Sequence, residues 1–227
     1  MSRKINDIIL VVDVEATCWA EHNSDNGLRT RIEPVSEIVE VGVCELNRFT
    51  LEITNPKSIP IKPIFSTCSE FCTQLTRWDD EKLKYAGTFH DACGILDKEY
   101  NSRNIPWASW GDYDRMQFER DCEHKITWRR LKSPLPDSEF IETVGLMPTE
   151  EDLKSIGGIL YRTLYPFGRT HINIKSLFNI LRQKGRECGV SEALKEVGLE
   201  FEGRPHSGID DSYNIARIFS VLIEESN

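Results

Sequence analysis

The chain has 227 residues, 39% hydrophobic and 29% charged, with a formal net charge of -9 and a pI near 5.2. That length buries a full core in a single α/β domain, expected to span residues 1–227, and the sequence has no repeat, low-complexity tract or charge block. The acidic balance argues against a tight, sequence-independent grip on a duplex, which depends on counterion release by many Lys and Arg contacts.

Ile8 to Val12 is a compact apolar run and predicts a buried central strand. It is too short for a signal peptide or a membrane span and ends in Asp13, so the expectation is a soluble, intracellular, cytoplasmic protein with no membrane partner. Ile38 to Leu46 and Phe49 to Ile53 read as two further strands, joined at Asn47-Arg48 as a hairpin. From about Glu123 to Leu164 the chain is broken by Pro134, Pro136 and Pro148, and PTEEDLKSIGGIL predicts a helix with Thr149 as N-cap. INIKSLFNILRQKG places Ile174, Leu177, Phe178 and Leu181 on one helical face ended by Gly185, and SEALKEVGLEF repeats the pattern with a stop at Gly198. A last helix starts near Asp210 to Ser212 and carries Ile215, Ile218, Phe219, Leu222 and Ile223 at helical spacing. The seven scattered cysteines read as reduced thiols, and the spacing of Cys68, Cys72, His90 and Cys93 is poor for structural zinc.

The chemistry-bearing residues are Asp13 and Glu15 in IILVVDVEAT, Asp114 in SWGDYDRMQF, and His206 with Asp211 in GRPHSGIDDS. Side chains two apart on a strand share a face, so Asp13 and Glu15 are presented together. Two close carboxylates repel each other unless a cation or a shared proton compensates, and the pair therefore invites a divalent metal. For Asp-x-Glu alone, a solvated strand end is the commoner explanation. For Asp210 and Asp211, favourable placement in the first turn of a helix is the alternative. His206 lies in a glycine- and proline-rich loop and Asp211 on the helix that follows, an arrangement that suits a base beside a metal ligand.

VVDVEATC, SEIVEVGVCEL, SEFCTQLT, the YD of WGDYD and GRPHSGIDDSYNIARI together resemble the DEDDh 3′–5′ exonucleases, in particular the 3′hExo and Eri1-type branch. The resemblance covers about residues 8 to 122 and 165 to 223. It implies an RNase H-like α/β fold, a mixed five-stranded sheet flanked by helices, with residues 123–164 inserted before the C-terminal helices. It also implies Asp13, Glu15, Asp114 and Asp211 as ligands of two Mg²⁺ or Mn²⁺ ions and His206 as the base. Asp114 is preferred to Asp112 because the family aspartate follows an aromatic, here Tyr113, and Asp211 to Asp210 by its spacing from the histidine. An imidazole with an ordinary pKa near ~6.5 is largely neutral at pH 7, as a base must be.

Further implications are Ala16 and Thr17 against the terminal nucleotide and Phe71 and Tyr113 as a base-stacking platform. Arg115, Arg120, Lys125, Arg129, Arg130 and Lys132 form either a backbone track or a solvated helix face. The expected partner is single-stranded RNA or DNA with a free 3′ end. A protein partner at the insertion and a homodimer stay open. Two other functions stay open as well: trimming of DNA ends by the same chemistry, and a binding module with a vestigial site.

Overall fold

The computed structural model describes residues 7–20, 36–124, 126–129, 159–162, 164–186 and 188–226. The first apolar run forms the middle of β1 (Ile8–Ala16), which continues through both acids. β2 (Ile38–Asn47) pairs antiparallel with β1, placing Gly42 opposite Asp13 and Glu40 opposite Glu15. β3 (Ile53–Pro60) pairs antiparallel with β2, while β4 (Trp107–Ser109) runs parallel to β1. β5 (Ile126–Arg129) and β6 (Ile159–Arg162) form a separate antiparallel ladder, and β7 (His171–Asn173) runs parallel to β4. The main sheet thus has the order β3-β2-β1-β4-β7, the mixed five-stranded sheet expected.

The helices are α1 (Glu70–Thr76), α2 (Asp80–Leu83), α3 (Phe89–Tyr100), α4 (Tyr113–His124), α5 (Ile174–Leu181), α6 (Val190–Glu196) and α7 (Gly208–Glu225). Alternation along β1 divides the core into two layers. Leu10, Val12 and Val14 pack with Phe89, Leu96 and Phe118 of α3 and α4, whereas Ile9 and Val11 pack with Phe178, Leu194 and the Ile215, Ile218 and Leu222 stripe of α7. Among the described residues no helix is long and apolar enough to cross a membrane.

Several local expectations are corrected. Phe49 to Glu52 is a turn, not the start of a strand. The Asn47 side-chain oxygen accepts the N–H groups of Phe49 and Thr50 at 3.0 Å, and Leu51 takes a left-handed φ of 61°, so the local bonds displace the ladder. α5 stops at Leu181, short of Gly185, and the left-handed turn falls at Gln183 with φ 51°. α7 begins at Gly208, because the Ser207 carbonyl already accepts the Asp211 N–H at 2.8 Å. The stop at Gly198 matches its φ of 75°. Ile159 and Leu160 belong to β6 and not to a helix; the rest of the helix expected after Thr149 lies outside the described residues.

One close approach positions the functional face. A Cβ at Gly42 would sit 1.8 Å from the backbone carbon and oxygen of Gly208, so β2 and the start of α7 meet only because both positions are glycine. Gly42→Ala is expected to destabilise the protein by about 3 kcal/mol or more, since rigid backbone must move. Urea denaturation checks this, and a loss below about 1 kcal/mol would mean that the approach is loose.

Candidate active site

On β1, Asp13 and Glu15 continue the face that carries Ile9 and Val11, so they point toward the layer that contains α7. The acids follow where the apolar partners run out and the N-terminus of α7 crosses. Carboxylate oxygens of Asp13, Glu15 and Asp211 lie within 4.8 Å of one another. Asp114 reaches the same place from the first turn of α4; it is 4% exposed and accepts the Val14 N–H at 3.0 Å. His206 Nδ1 is 3.9 Å from Glu15 Oε1, with half of the side chain open to solvent. All five residues singled out from the sequence are therefore brought together.

The neighbouring acids are occupied elsewhere. Asp112 accepts from the Asn173 amide at 3.1 Å and lies 3.5 Å from Arg115, and Asp210 accepts the Arg204 N–H at 3.1 Å. His206 has a left-handed φ of 61°, a strained conformation for a residue with a Cβ, which the surrounding structure must hold. The Arg204 guanidinium supplies part of that hold by donating to the carbonyls of Leu75 at 3.1 Å and Thr76 at 2.9 Å. Buried Glu40 supplies more. It accepts from the Gly208 N–H at 3.1 Å, the Trp78 indole at 2.8 Å and the Ser58 hydroxyl at 2.5 Å.

Sequence reasoning missed both Arg204 and Glu40. Glu40 did carry a signal, an acid inside the apolar β2 run. Nothing local marked Arg204, whose partners are far away in sequence.

The electrostatics are those of a site built for positive charge. Burial, followed by the charges of Asp114, Asp211 and Glu15, pushes Asp13 well above the ordinary carboxylate range. Burial and then the charges of Asp211, Glu40 and Asp114 push Glu15 up to about 8, with Arg204 opposing. Burial raises Asp114 to about 6 against the Val14 N–H, and burial raises Asp211 against the N–H groups of Ser207 and His206. Four oxygen-donor carboxylates that repel one another fit a hard divalent cation.

A group whose folded value is raised stabilises the fold most below its unfolded value and loses that contribution as pH rises through the folded value. For Glu15 and Asp114 the window runs from their ordinary 4.5 and 3.8 up to about 8 and about 6. The melting temperature in EDTA is therefore expected to fall across that window. Added Mn²⁺ is expected to restore it by an amount that grows with pH, and parallel curves with and without metal would contradict the cation-site assignment.

The residues expected at the substrate occupy four different settings. Phe71 and Tyr113 open α1 and α4 and are 43% and 50% exposed. Ala16 is buried at the end of β1. Thr17 is fully used within the protein: its N–H donates to Glu37, its carbonyl accepts from Ser36, and its hydroxyl accepts the Glu37 N–H and bonds Ser66. Arg115 pairs with Asp112 and Glu119, and Arg120 bonds Gln117 and lies over the Tyr113 ring. The side chains of the other basic residues in the suggested track lie outside the described residues.

Sheet order, helix placement and the acidic cluster together match the arrangement that the resemblance to DEDDh exonucleases implies. No family model matches the chain. It is 30% identical over 223 residues to human 3′-5′ exoribonuclease 1, covering 96% of this chain and 53% of the relative. To human ERI1 exoribonuclease 2 it is 25% identical over 247 residues, covering 99% of this chain and 29% of the relative. The nuclease domain of 3′hExo, described as a DEDDh family member bound to rAMP, superposes with a TM-score of 0.68 at 25% identity, over 97% of this chain and 93% of that domain. The chain spans about half the length of 3′-5′ exoribonuclease 1, 53%, and less of the longer relative. The chain is similar to the 3′hExo-type nuclease domains of the DEDDh exonucleases.

Proposed function

We propose that the protein is a metal-dependent 3′–5′ exonuclease that hydrolyses single-stranded RNA, and also single-stranded DNA, to nucleoside 5′-monophosphates. The observation that carries this reading is the convergence of Asp13, Glu15 and Asp211 oxygens within 4.8 Å, with Asp114 and His206 beside them. Asp13, Glu15, Asp114 and Asp211 would hold two ions, Mg²⁺ or Mn²⁺. When bound, such a pair stabilises the charge on the attacking and leaving oxygens of an in-line displacement. The four carboxylates set the electrostatics that make this possible, since their repulsion is relieved only by cations or protons.

His206 takes the proton of the attacking water. Its exposed, loop-borne ring suits this role, and the Arg204 and Asp210 contacts hold the loop in place. Phe71 and Tyr113 offer aromatic faces on which terminal bases stack, a contact worth about 1–3 kcal/mol per base. Thr17, with its polar groups satisfied, forms with Ala16 the wall against which the last nucleotide rests. The chain would act on a free 3′ end in the cytoplasm, with no membrane involved. Human 3′-5′ exoribonuclease 1 and the rAMP-bound 3′hExo domain support an RNA substrate.

Matched 5′-labelled RNA and DNA oligonucleotides in Mg²⁺, Mn²⁺ and EDTA test the proposal. The expected result is a metal-dependent ladder shortening from the 3′ end, faster on RNA. Faster cleavage of DNA would favour end trimming of DNA, and binding without cleavage in any metal would favour the vestigial-site reading.

A further inference from the structure

The strained His206 loop is tied on both sides, and both ties lead to one helix. Before His206, the Arg204 guanidinium donates to the carbonyls of Leu75 at 3.1 Å and Thr76 at 2.9 Å, in the last turn of α1. After it, the Gly208 N–H donates at 3.1 Å to Glu40 Oε2, and the same oxygen accepts the Trp78 indole N–H at 2.8 Å. Trp78 is itself joined to α1. Its backbone N–H donates to the Thr76 hydroxyl at 3.1 Å, and that hydroxyl donates to the Cys72 carbonyl at 3.0 Å.

The end of α1 is built to receive the guanidinium. The last carbonyls of a helix have no donors within it. Arg77 stops α1 in a left-handed conformation, with φ 68° and its N–H on the Thr73 carbonyl at 3.0 Å, and the Leu75 and Thr76 carbonyls take their donors from Arg204. A planar fork reaches both at once. With a further bond to the Pro205 carbonyl at 3.2 Å, the guanidinium is committed to backbone and serves as a tie.

The opposite end of α1 carries the base platform. Phe71 lies in its first turn and is 43% exposed. The N-cap Ser69 accepts the Cys72 N–H at 3.0 Å and donates to the Cys18 carbonyl at 2.6 Å, which fastens that end to the segment following Glu15. One short helix therefore connects the place where a terminal base stacks with the backbone on either side of His206.

We infer that Arg204, with the Trp78–Glu40 tie, is a positioning residue that makes the placement of His206 depend on α1, so that a base stacked on Phe71 raises the rate of the chemical step. This deepens the nuclease reading above and rests on it. A residue with a Cβ keeps a left-handed conformation only while its surroundings enforce it. Stacking on Phe71 steadies α1, α1 steadies Arg204 and Trp78, and these hold the chain before and after the imidazole. Misplacing a reacting group by about 1 Å costs on the order of 10²-fold in rate. Binding energy from a non-reacting part of the substrate then appears in the rate of cleavage, whereas uniform binding would appear only in affinity. The selectivity is for an end that carries a base, whichever base it is, because every base has a stacking face.

The test is single-turnover cleavage of single-stranded RNA ending in an intact 3′ nucleotide or in an abasic ribose, with enzyme varied through saturation in Mg²⁺. For the unaltered protein the abasic end is expected to lower the maximal rate about tenfold or more, with a smaller change in the half-saturating concentration. Arg204→Ala is expected to lower the maximal rate on the intact end by a similar factor and to lose most of the abasic penalty, because the tie is already cut. Trp78→Phe keeps a ring and removes the indole N–H; it should shift both quantities the same way, less strongly, and it decides the question if Arg204→Ala does not fold. An abasic penalty confined to the half-saturating concentration, or one that persists in full in the variants, would overturn the coupling and leave the nuclease. Unchanged maximal rates in the variants would overturn the positioning role. Unaltered protein that cuts neither end in Mg²⁺ or Mn²⁺ would remove the nuclease reading and the coupling with it.

Discussion

Asp13→Asn is expected to reduce metal-dependent cleavage by about 10³-fold or more while raising the melting temperature of the metal-free protein. The first effect follows from the cation charge that Asp13 helps to hold, which supplies several kcal/mol of transition-state stabilisation at ~1.4 kcal/mol per tenfold in rate. The second follows from the repulsion around it, because Asp114, Asp211 and Glu15 all oppose ionisation of Asp13 in the folded state. Removing that charge relieves the fold, by a few degrees if about 1 kcal/mol moves Tm roughly 2–4 °C in a chain of this size. Thermal denaturation in EDTA and in Mn²⁺, run beside single-turnover cleavage, checks both. An inactive variant that is also less stable without metal would indicate that Asp13 serves the fold, not a cation.

His206→Ala should behave differently. Turnover is expected to fall about 10²- to 10⁴-fold, the usual contribution of a positioned base. The stabilisation by Mn²⁺ should persist, because the four carboxylates are untouched. Undiminished turnover in Mg²⁺ would refute the assigned role. Removal of the side chain should cost the fold little, since it is half-exposed and the loop is tied down through Arg204 and Asp210.

The features legible from sequence were those whose signals are local. Ile8 to Val12 is a buried run, and the two acids after it share a strand face. His206, Asp211 and the apolar stripe of α7 lie within one short segment. The mixed sheet came from the resemblance.

The features not legible depend on contacts across the chain. Glu40 ties β2 to α7 and to Trp78, Arg204 reaches back to the end of α1, and Gly42 matters only because Gly208 lies against it. The pairing of β5 with β6 joins residues thirty or more positions apart, and neither strand has a strong pattern of its own. The β2–β3 turn was misplaced because a single side chain, Asn47, outcompeted the strand propensity of Phe49 to Ile53.

Chromatography of the products released from single-stranded RNA with a free 3′ hydroxyl tests the central claim most directly. Nucleoside 5′-monophosphates, appearing from the first turnover only with divalent metal and suppressed by a 3′-terminal block, are the predicted result. Nucleoside 3′-phosphates, internal fragments from blocked RNA, or equal release in EDTA would contradict metal-dependent attack at the 3′ end by this carboxylate cluster.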